Sequence, residues 1–224
     1  MFSRVLVLIA LIVVCFGPGS AVAADGGFTP IFDGKSLDGW KASEMSHWSV
    51  VDGAIVGLTT PDNPAKGNQF IVWQLGELDD FHVKLKYRIS GTDSANSGIQ
   101  IRSQYHKEGF VGGYQADIDR GGTWVGALYD ERGRGMLAKR GEKTTIAADG
   151  KKNPVTFADG KAMMSIVNKD GWNEYEVIAQ GNHITLKLNG KVTAEVIDND
   201  KKDREFGGVL ALQLHAGPPM KIEF

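Results

Sequence analysis

The chain has very little cysteine and little net charge, and each shortage excludes a class of function. Its 224 residues include one cysteine, Cys15, which lies in an apolar run near the N-terminus. The remainder of the chain can therefore form neither a disulfide nor a cysteine-based metal site. With a formal charge of −2, the chain has no strong field that would favour nucleic acid or an anionic membrane. No nucleotide, flavin or haem motif is present, so no such cofactor is predicted.

The first 23 residues have the features of a secretory signal peptide. Arg4 supplies a positive charge, residues 5–16 are an unbroken apolar run, and residues 21–23 are a small-x-small cleavage motif. We predict cleavage after Ala23, which leaves 224 − 23 = 201 residues with a formal charge of −3 once Arg4 is lost. An uncleaved anchor is the alternative, but this run is shorter than the about 20 residues that a membrane-spanning helix needs. The protein is thus expected to be secreted or periplasmic, without a stable membrane anchor.

Apolar and polar residues alternate through most of the chain, whereas no convincing helical pattern occurs. Period-two alternation is typical of half-buried strands, and it is clearest at 81–89, where apolar residues occupy every odd position. Asp52-Gly53 and Asn189-Gly190 lie between apolar runs and favour tight hairpin turns. Further strands are predicted at 48–51, 54–58, 99–102, 112–119, 174–179, 184–188, 192–197, 209–215 and 221–223, with a surface loop at 149–161. Many short strands predict a single all-β domain at 24–224, a two-sheet antiparallel jelly-roll sandwich.

One predicted strand carries acidic side chains on a single face. Gln115, Asp117 and Asp119 alternate with Ala116 and Ile118, so the three polar side chains point the same way. The simplest interpretation is a half-exposed strand with its polar face in water. A loop rich in glycine follows, and glycine lets the backbone approach a ligand closely. The charged residues of that region are Asp130, Glu131, Arg132 and Arg134. Together the strand and the loop predict the floor and rim of a binding site.

Nine short motifs, spread over almost the whole chain after residue 23, carry a resemblance to a known family. They are FDGKSLDGW (32–40), WSVVDGAIVG (48–57), NSGIQIR (96–102), GYQADI (113–118), GALY (126–129), WNEYEV (172–177), GNHIT (181–185), LNG (188–190) and LQLH (212–215). Each motif alone is weak, but their common order is specific. In this order they resemble the 3-keto-disaccharide hydrolase family.

The resemblance implies a concanavalin-A-like sandwich, secreted by bacteria, that acts on glycosides whose sugar has been oxidised at carbon 3. Two features depart from the family pattern. The family usually has Glu and then Gln where this chain has Gln115 and Asp117, so the acid and the amide are exchanged. The family's closing strand normally continues past position 224, so this chain is expected to stop within its last strand.

A ketone at carbon 3 acidifies the hydrogen on carbon 2, so the glycosidic bond at carbon 1 can break by elimination through an enediolate, followed by addition of water. This route needs a base near carbon 2, a stabiliser for the enediolate oxygen and an acid for the leaving oxygen. We predict Asp117 or Asp119 as the base, Arg102 or a metal ion as the stabiliser, and His215 as the acid or a second base. Simpler roles are open to three of them: a salt bridge for Arg102, solvation for His215 and the start of a turn for Asp119.

Strand parity predicts that the site residues gather on one concave sheet face. The expected face consists of Gln100, Arg102, Gln115, Asp117, Asp119, Gln213 and His215. The residues expected to bind substrate are Asn96, Gln100, Gln115, Trp124, Glu131, Arg132, Arg134 and Gln213. Trp124 is a candidate for stacking on a sugar ring. A divalent metal ion held by Asp117, Asp119, Glu131 and His215 stays open, because no spacing among these residues is diagnostic.

Two other functions use the same residues. A conventional retaining glycosidase needs two carboxyl groups about 5–5.5 Å apart, and Asp117 and Asp119 on one strand face meet that condition. A non-catalytic module would hold a glycan, with the carboxylates binding hydroxyl groups or Ca²⁺. In each case the partner is a small-molecule sugar or oligosaccharide. For the elimination, a separate oxidoreductase would have to make the 3-keto sugar, because this chain has no redox motif.

Overall fold

The computed structural model describes residues 27–106 and 109–224, and it contains two β-sheets with only short 3₁₀ turns between strands. The turns span Met45–His47 and Ala162–Ile166. The strands are β1 (Trp40–Ala42), β2 (Trp48–Val51), β3 (Ala54–Leu58), β4 (Gln69–Trp73), β5 (Phe81–Gly91), β6 (Asn96–Tyr105), β7 (Val111–Asp119), β8 (Leu128–Glu131), β9 (Gly135–Ala138), β10 (Glu142–Ile146), β11 (Lys152–Thr156), β12 (Asn173–Gln180), β13 (His183–Leu188), β14 (Lys191–Asp198), β15 (Val209–Leu214) and β16 (Met220–Glu223). The all-β jelly-roll sandwich predicted from the alternation is confirmed.

The two sheets differ in size, and the hydrophobic core lies between them. The seven-stranded sheet has the order β1-β4-β15-β6-β7-β8-β9, and the nine-stranded sheet has the order β11-β10-β14-β13-β12-β5-β16-β3-β2. Among the described strands, neighbours pair antiparallel except β10 and β14, which are parallel. Ile99, Ile118 and Leu128 of the smaller sheet and Val177 and Leu186 of the larger sheet are fully buried. The core therefore lies between the sheets, as period-two burial requires.

Two tight turns predicted from sequence have the expected backbone. Asp52 and Gly53 have φ of 50° and 80°, and they connect β2 to β3. Asn189 and Gly190 have φ of 48° and 77°, and they connect β13 to β14. Positive φ at both central positions is the type I′ pattern, which Asn-Gly and Asp-Gly adopt at low steric cost.

The loop predicted at 149–161 is wrong in its central part, because β11 occupies Lys152–Thr156. This strand pairs only with β10 and forms the edge of the larger sheet. Four of its five residues are exposed and Pro154 lies in the middle, so neither alternation nor composition marks it as a strand. A strand at an edge can tolerate proline because one of its sides needs no ladder hydrogen bonds.

The chain separates into two units, Met1–Asp33 and Gly34–Phe224. Both sheets belong to the second unit; of the first, residues 27–33 are described, and they contain a turn and a bend. The predicted signal peptide at 1–23 lies outside the described residues and stays a prediction. Within the described ranges, no helix reaches the length and hydrophobicity that crossing a membrane would require.

Candidate functional site

A cavity of about 220 Å³ opens on the outer face of the seven-stranded sheet. Strands β6, β7 and β8, the β7–β8 loop and the end of β15 supply its walls. The lining residues are Asn96, Gln115, Asp117, Trp124, Tyr129, Glu131 and His215. Six of these seven were predicted from sequence as site residues, and the alternation along neighbouring strands explains why they meet.

The register of β6, β7 and β8 places these side chains on one face. Asp117 lies opposite Gly98 on β6, and Gln115 lies between Gln100 on one side and Tyr129 on the other. Residues paired directly across a ladder share a face. The polar side chains of β7 therefore form the floor of the cavity, and their apolar neighbours Ala116 and Ile118 enter the core.

Gly98 creates the space in which the Gln115 side chain lies. A Cβ atom at position 98 would be 2.5 Å from Cγ and Cδ of Gln115, closer than carbon atoms in proteins approach. Glycine at this strand position thus leaves room for the Gln115 side chain, whose amide donates to Asp117.

A chain of hydrogen bonds ends on the Asp117 carboxylate. Ser103 Oγ donates to Gln100 Oε1 at 2.6 Å, and Gln100 Nε2 donates to Gln115 Oε1 at 2.7 Å. Gln213 Nε2 donates to the same Gln115 oxygen at 2.9 Å. Gln115 Nε2 then donates to Asp117 Oδ1 at 2.7 Å. All donors point toward Asp117, so the chain of amides stabilises the ionised carboxylate.

This chain of hydrogen bonds corrects two predictions made from the sequence. Gln100 and Gln213 were expected to bind substrate, but both side chains are fully buried and neither lines the cavity. They act on Gln115, which lies between them and Asp117. Their strand parity was predicted correctly; the side chain of Gln115 covers them.

Burial of Asp117 is the main determinant of its chemistry. The residue is 5% exposed, and desolvation raises its pKa from 3.8 to about 7. The hydrogen bond from Gln115 lowers the pKa, whereas the negative charges of Asp119 and Glu131 raise it further. Among the described residues, no cation forms an ion pair with Asp117. A carboxyl group of this kind exchanges a proton near neutral pH, as general acids and bases do.

Glu131 and His215 are two further ionisable side chains that line the cavity. Burial raises the pKa of Glu131, while the nearby charges of His215 and Arg132 lower it. His215 Nδ1 lies 2.6 Å from the carbonyl oxygen of Ala216. Because a carbonyl oxygen only accepts, Nδ1 carries a proton and donates it there, which leaves Nε2 for a ligand.

Asp119 stabilises the turn that follows it, which was the simplest of the roles considered from the sequence. Its carboxylate accepts backbone N–H groups from Thr123 at 2.9 Å, Trp124 at 2.8 Å and Val125 at 2.5 Å. It is absent from the cavity lining. Its role as a base, or as the second carboxylate of a glycosidase, is therefore not supported. The loop that it orders presents Trp124, whose side chain is 46% exposed at the cavity edge.

The expectation that Arg102 faces the site is wrong. The side chain is 1% exposed and donates to the carbonyl oxygens of Asp79 and Gly181, each at 2.7 Å, and to Asp80 Oδ1 at 3.1 Å. The β6–β7 ladder has a register shift between Ile101 and Gln104, and Arg102 has a φ of 46°. A bulge interrupts the parity that links Gln100 to Arg102, so the guanidinium turns toward loops away from the cavity.

Arg134 was expected to bind substrate, but it is the centre of a buried ionic group. We call this group the charged cluster; its members are Tyr114, Asp130, Arg134, Asp198 and Asp200. Its guanidinium lies 2.8 Å from Asp130, 2.8 Å from Asp198 and 3.4 Å from Asp200. The Tyr114 hydroxyl donates to Asp198 at 2.6 Å. Burial alone would lower the pKa of Arg134, but these hydrogen bonds raise it above its ordinary value.

Arg132 was also expected to bind substrate, but it does not line the cavity. Its guanidinium covers the ring of Phe110 at 3.6 Å from the centroid. Phe110 packs edge-on against Phe70 with 5.0 Å between centroids. It covers an apolar cluster of Phe70, Val72, Val111, Val209 and Ala211. By strand parity these residues share the outer face with Asp117, so one half of that face is polar and open and the other half is apolar and covered.

Tyr129 is the lining residue that sequence analysis did not single out. It lies two residues before Glu131 on β8 and opposite Gln115 on β7. The period-two spacing to Glu131 was a sufficient indication that both face the same side. The short strand is bounded by glycine-rich loops, which hid the alternation.

The residues considered as metal ligands do not fit one site. Among the described residues, no group of three or more His, Cys, Asp or Glu side chains is arranged to hold a metal ion. Asp119 is engaged by three backbone N–H groups and His215 Nδ1 by a carbonyl oxygen. We therefore assign no step of the chemistry to a metal.

Three solved structures with a similar fold are two proposed glycosyl hydrolases and a carbohydrate binding module. A proposed glycosyl hydrolase from Parabacteroides distasonis has a TM-score of 0.55 and 19% identity, covering 87% of this chain and 94% of the other. A second such protein from the same organism has a TM-score of 0.52 and 19% identity, covering 87% and 90%. The carbohydrate binding module CBM66 from Bacillus subtilis has a TM-score of 0.52 and 16% identity, covering 83% and 91%. At these identities the similarity shows the fold alone.

A search of curated proteins found no match. A family model does match, and it spans residues 27–224, which include every strand of both sheets and every residue of the cavity. The family is carbohydrate-active, in keeping with a polar cavity bordered by an exposed tryptophan. The chain belongs to the 3-keto-alpha-glucoside-1,2-lyase-like domain family.

Proposed function

We propose that this protein cleaves the glycosidic bond of a 3-keto glycoside or 3-keto disaccharide by elimination followed by hydration, with Asp117 as the base. The observation that carries the proposal is the buried Asp117 carboxyl at the cavity floor, whose pKa burial raises to about 7. A base with a pKa near the working pH is both available in its ionised form and strong enough to remove an activated proton. The family to which the chain belongs supplies the class of substrate.

In the first step the Asp117 carboxylate takes the proton from carbon 2. The electron pair of that C–H bond forms the C2–C3 double bond, and the ketone oxygen becomes an enediolate oxygen. In the second step the C3 carbonyl forms again, a C1–C2 double bond appears and the C1–O bond breaks. The leaving oxygen takes a proton from His215 Nε2 of the imidazolium form, or from the protonated carboxyl group of Glu131. Water then bonds to carbon 1 through its oxygen and gives one proton back to His215 or Glu131. Asp117, whose proton has exchanged with solvent, delivers a proton to carbon 2. This yields the free 3-keto sugar and restores the enzyme.

Because Arg102 lies away from the cavity, the enediolate oxygen has to be stabilised by other groups, and neutral hydrogen-bond donors are available. The Asn96 amide and the Tyr129 hydroxyl both line the cavity. Preorganised neutral donors in a site shielded from water stabilise a developing oxyanion. Trp124 offers an exposed ring against which a sugar can stack.

A non-catalytic glycan-binding role is the second candidate, favoured by the exposed Trp124 at the cavity edge. A binding site, however, has no use for a carboxyl group with a pKa near 7, because burying such a group costs free energy that a surface carboxylate would avoid. A conventional glycosidase would have to pair Asp117 with Glu131, since Asp119 is engaged in its turn.

The test is a parallel incubation of the purified protein with a disaccharide and with its 3-keto derivative in heavy water, each with and without a chelator. We expect cleavage of the keto derivative alone, with deuterium at carbon 2 of the released keto sugar. A control without enzyme measures spontaneous exchange at that carbon. Cleavage of the unoxidised disaccharide would favour a conventional glycosidase. Binding without cleavage of either sugar would favour the glycan-binding module.

Two further parts of the proposal concern the protein's surroundings. A secreted or periplasmic location rests on the sequence of residues 1–23 alone. A separate oxidoreductase must oxidise the sugar at carbon 3 before this protein acts, because the substrate needs the ketone for the proton at carbon 2 to be removed.

A further inference from the structure

The loop at 120–126, which we call the Trp124 loop, is held by a buried negative charge through its N–H groups. It connects β7 to β8, and its ring-bearing residue lies at the cavity edge. The Asp119 carboxylate accepts the N–H groups of Thr123, Trp124 and Val125. Three consecutive backbone donors on one carboxylate fix the direction of the loop where Trp124 leaves it.

A positive charge holds the same loop through its carbonyl groups. Arg140 Nη1 donates to the Val125 carbonyl at 2.5 Å, and Nη2 donates to the Gly122 carbonyl at 2.9 Å. Its Nε donates to the carbonyl of Gly160 at 2.6 Å, in the connection that follows β11. The rigid fork of a guanidinium can make these three bonds at once, whereas an ammonium group cannot match that geometry.

The far end of the Trp124 loop is bonded to the backbone of the proposed base. Gly126 N donates to the Asp117 carbonyl at 3.1 Å, and Asp117 N donates to the Ala127 carbonyl at 3.0 Å. Burial lowers the pKa of Arg140, while the negative charge of Asp119 raises it. The two charged side chains that hold the loop therefore also attract each other. The loop, the two charges and the Asp117 backbone therefore form one connected unit.

We propose that Asp119 and Arg140 are positioning residues that hold the Trp124 ring at a fixed place relative to the Asp117 carboxyl, so that a sugar stacked on the ring presents carbon 2 to the base. The proposal rests on the proposed function for the nature of the ligand. The hydrogen bonds of Asp119 and Arg140 to the Trp124 loop, which we call the clamp, can be tested without any sugar.

The first test measures how rigidly Trp124 is held. The near-ultraviolet circular dichroism of the protein minus that of Trp124→Phe gives the contribution of this one ring, which is large only where a ring has a fixed surrounding. We expect most of this contribution to be lost when the same difference is measured in Arg140→Lys and in Asp119→Asn, at temperatures where both remain folded. An unchanged contribution in both variants would overturn the proposal. Because Asp119→Asn keeps the size of the side chain, it serves alone if Arg140→Lys does not fold.

The matched control is Arg88→Lys. Arg88 stacks on Trp172 at 4.9 Å and pairs with Glu223, so it is an arginine next to an exposed tryptophan outside the cavity. This variant is expected to leave the Trp124 contribution unchanged. A loss as large as that in Arg140→Lys would mean that the effect is general loosening, which contradicts the proposal.

The second test is a double-mutant cycle on the Michaelis constant for the 3-keto disaccharide. Arg140→Lys is expected to raise it about tenfold in the wild-type background and less than about twofold in the Trp124→Ala background, because the clamp acts through the ring. Equal factors in both backgrounds would overturn the positioning role. If the wild-type protein cleaves no keto sugar, the proposed function fails, and the dichroism test still decides whether the clamp exists.

Discussion

The cavity and the charged cluster lie on opposite sides of the same strands. Their buried carboxyl groups differ in their partners: an amide in the cavity and a guanidinium in the cluster. On β8, Asp130 enters the charged cluster and its neighbour Glu131 lines the cavity. On β7, Tyr114 belongs to the cluster and Gln115 to the cavity. In the cluster one guanidinium pairs with three carboxyl groups. In the cavity Asp117 has an amide as its partner and no ion pair among the described residues.

This difference separates stability from chemistry. A buried carboxylate that pairs with a cation fixes the structure around it, because removing its partner would leave a buried charge without solvent. An uncompensated one has a raised pKa and can exchange a proton near neutral pH. The strand alternation puts both kinds of group on adjacent residues without mixing them. We therefore expect mutations on the two sides to affect different measurements.

The largest effect is expected for Asp117→Asn, which keeps the shape of the side chain but cannot take a proton. Turnover of the 3-keto disaccharide should fall by a factor of about 10² to 10⁴, while the Michaelis constant changes little. Asp170→Asn, on an exposed aspartate that pairs with Arg120, is the control and should leave turnover unchanged. Undiminished turnover in Asp117→Asn, with loss in His215→Ala or Glu131→Gln, would show that the base has been misassigned.

The charged cluster should respond in stability. Arg134→Met leaves Asp130, Asp198 and Asp200 without their cation, and we expect the free energy of unfolding to drop by about 3–5 kcal/mol in chemical denaturation. The comparison variant Arg132→Met, two residues earlier and exposed, loses only its contact with the Phe110 ring and should change the free energy of unfolding by no more than about 1 kcal/mol. Equal effects of the two substitutions would remove the distinction between the two sides of β8.

The stability of the protein should also depend on pH through Asp117. A carboxyl group whose pKa is higher in the folded state binds more protons there, so its stabilising contribution is fully present below the unfolded value of 3.8 and is lost as pH rises through about 7. Asp117→Asn should therefore gain stability relative to wild type between pH 4 and pH 8, by on the order of 4 kcal/mol at most. A difference between the two proteins that does not change with pH would contradict the raised pKa.

The smallest effect is expected for the amide that donates to Asp117. The wild-type pH profile of kcat/KM should rise through about pH 7 as Asp117 ionises. In Gln115→Leu the carboxylate loses its hydrogen bond, so the midpoint of that rise should move upward by about one pH unit. Gln104→Leu, on the exposed end of β6, is the comparison and should leave the midpoint in place. A midpoint that stays unchanged in Gln115→Leu would mean that the chain of amides does not act on the base.

Sequence patterns predicted what depends on local periodicity and missed what depends on distant partners. Alternation predicted β2, β3, β5–β7 and β12–β16, but not β1, β4 or β8–β11. It also predicted the shared face of Gln115 and Asp117, and Asn189-Gly190 predicted its turn. Parity failed at Arg102 because a bulge in β6 cannot be seen in the order of residues. Arg134 could not be placed because its partner Asp198 lies on β14, far away in sequence. Asp119 was ambiguous because its role depends on the path of the following loop.

The most direct test of the account is a carbon-13 NMR titration of the Asp117 carboxyl, assigned by comparison with Asp117→Asn. It needs no substrate and reports on the one group that distinguishes the cavity from the charged cluster. We predict a midpoint at about pH 7. A midpoint near the value of about 3.9 of an ordinary aspartate would show that burial does not raise the pKa of Asp117, and it would contradict the assignment of Asp117 as the base.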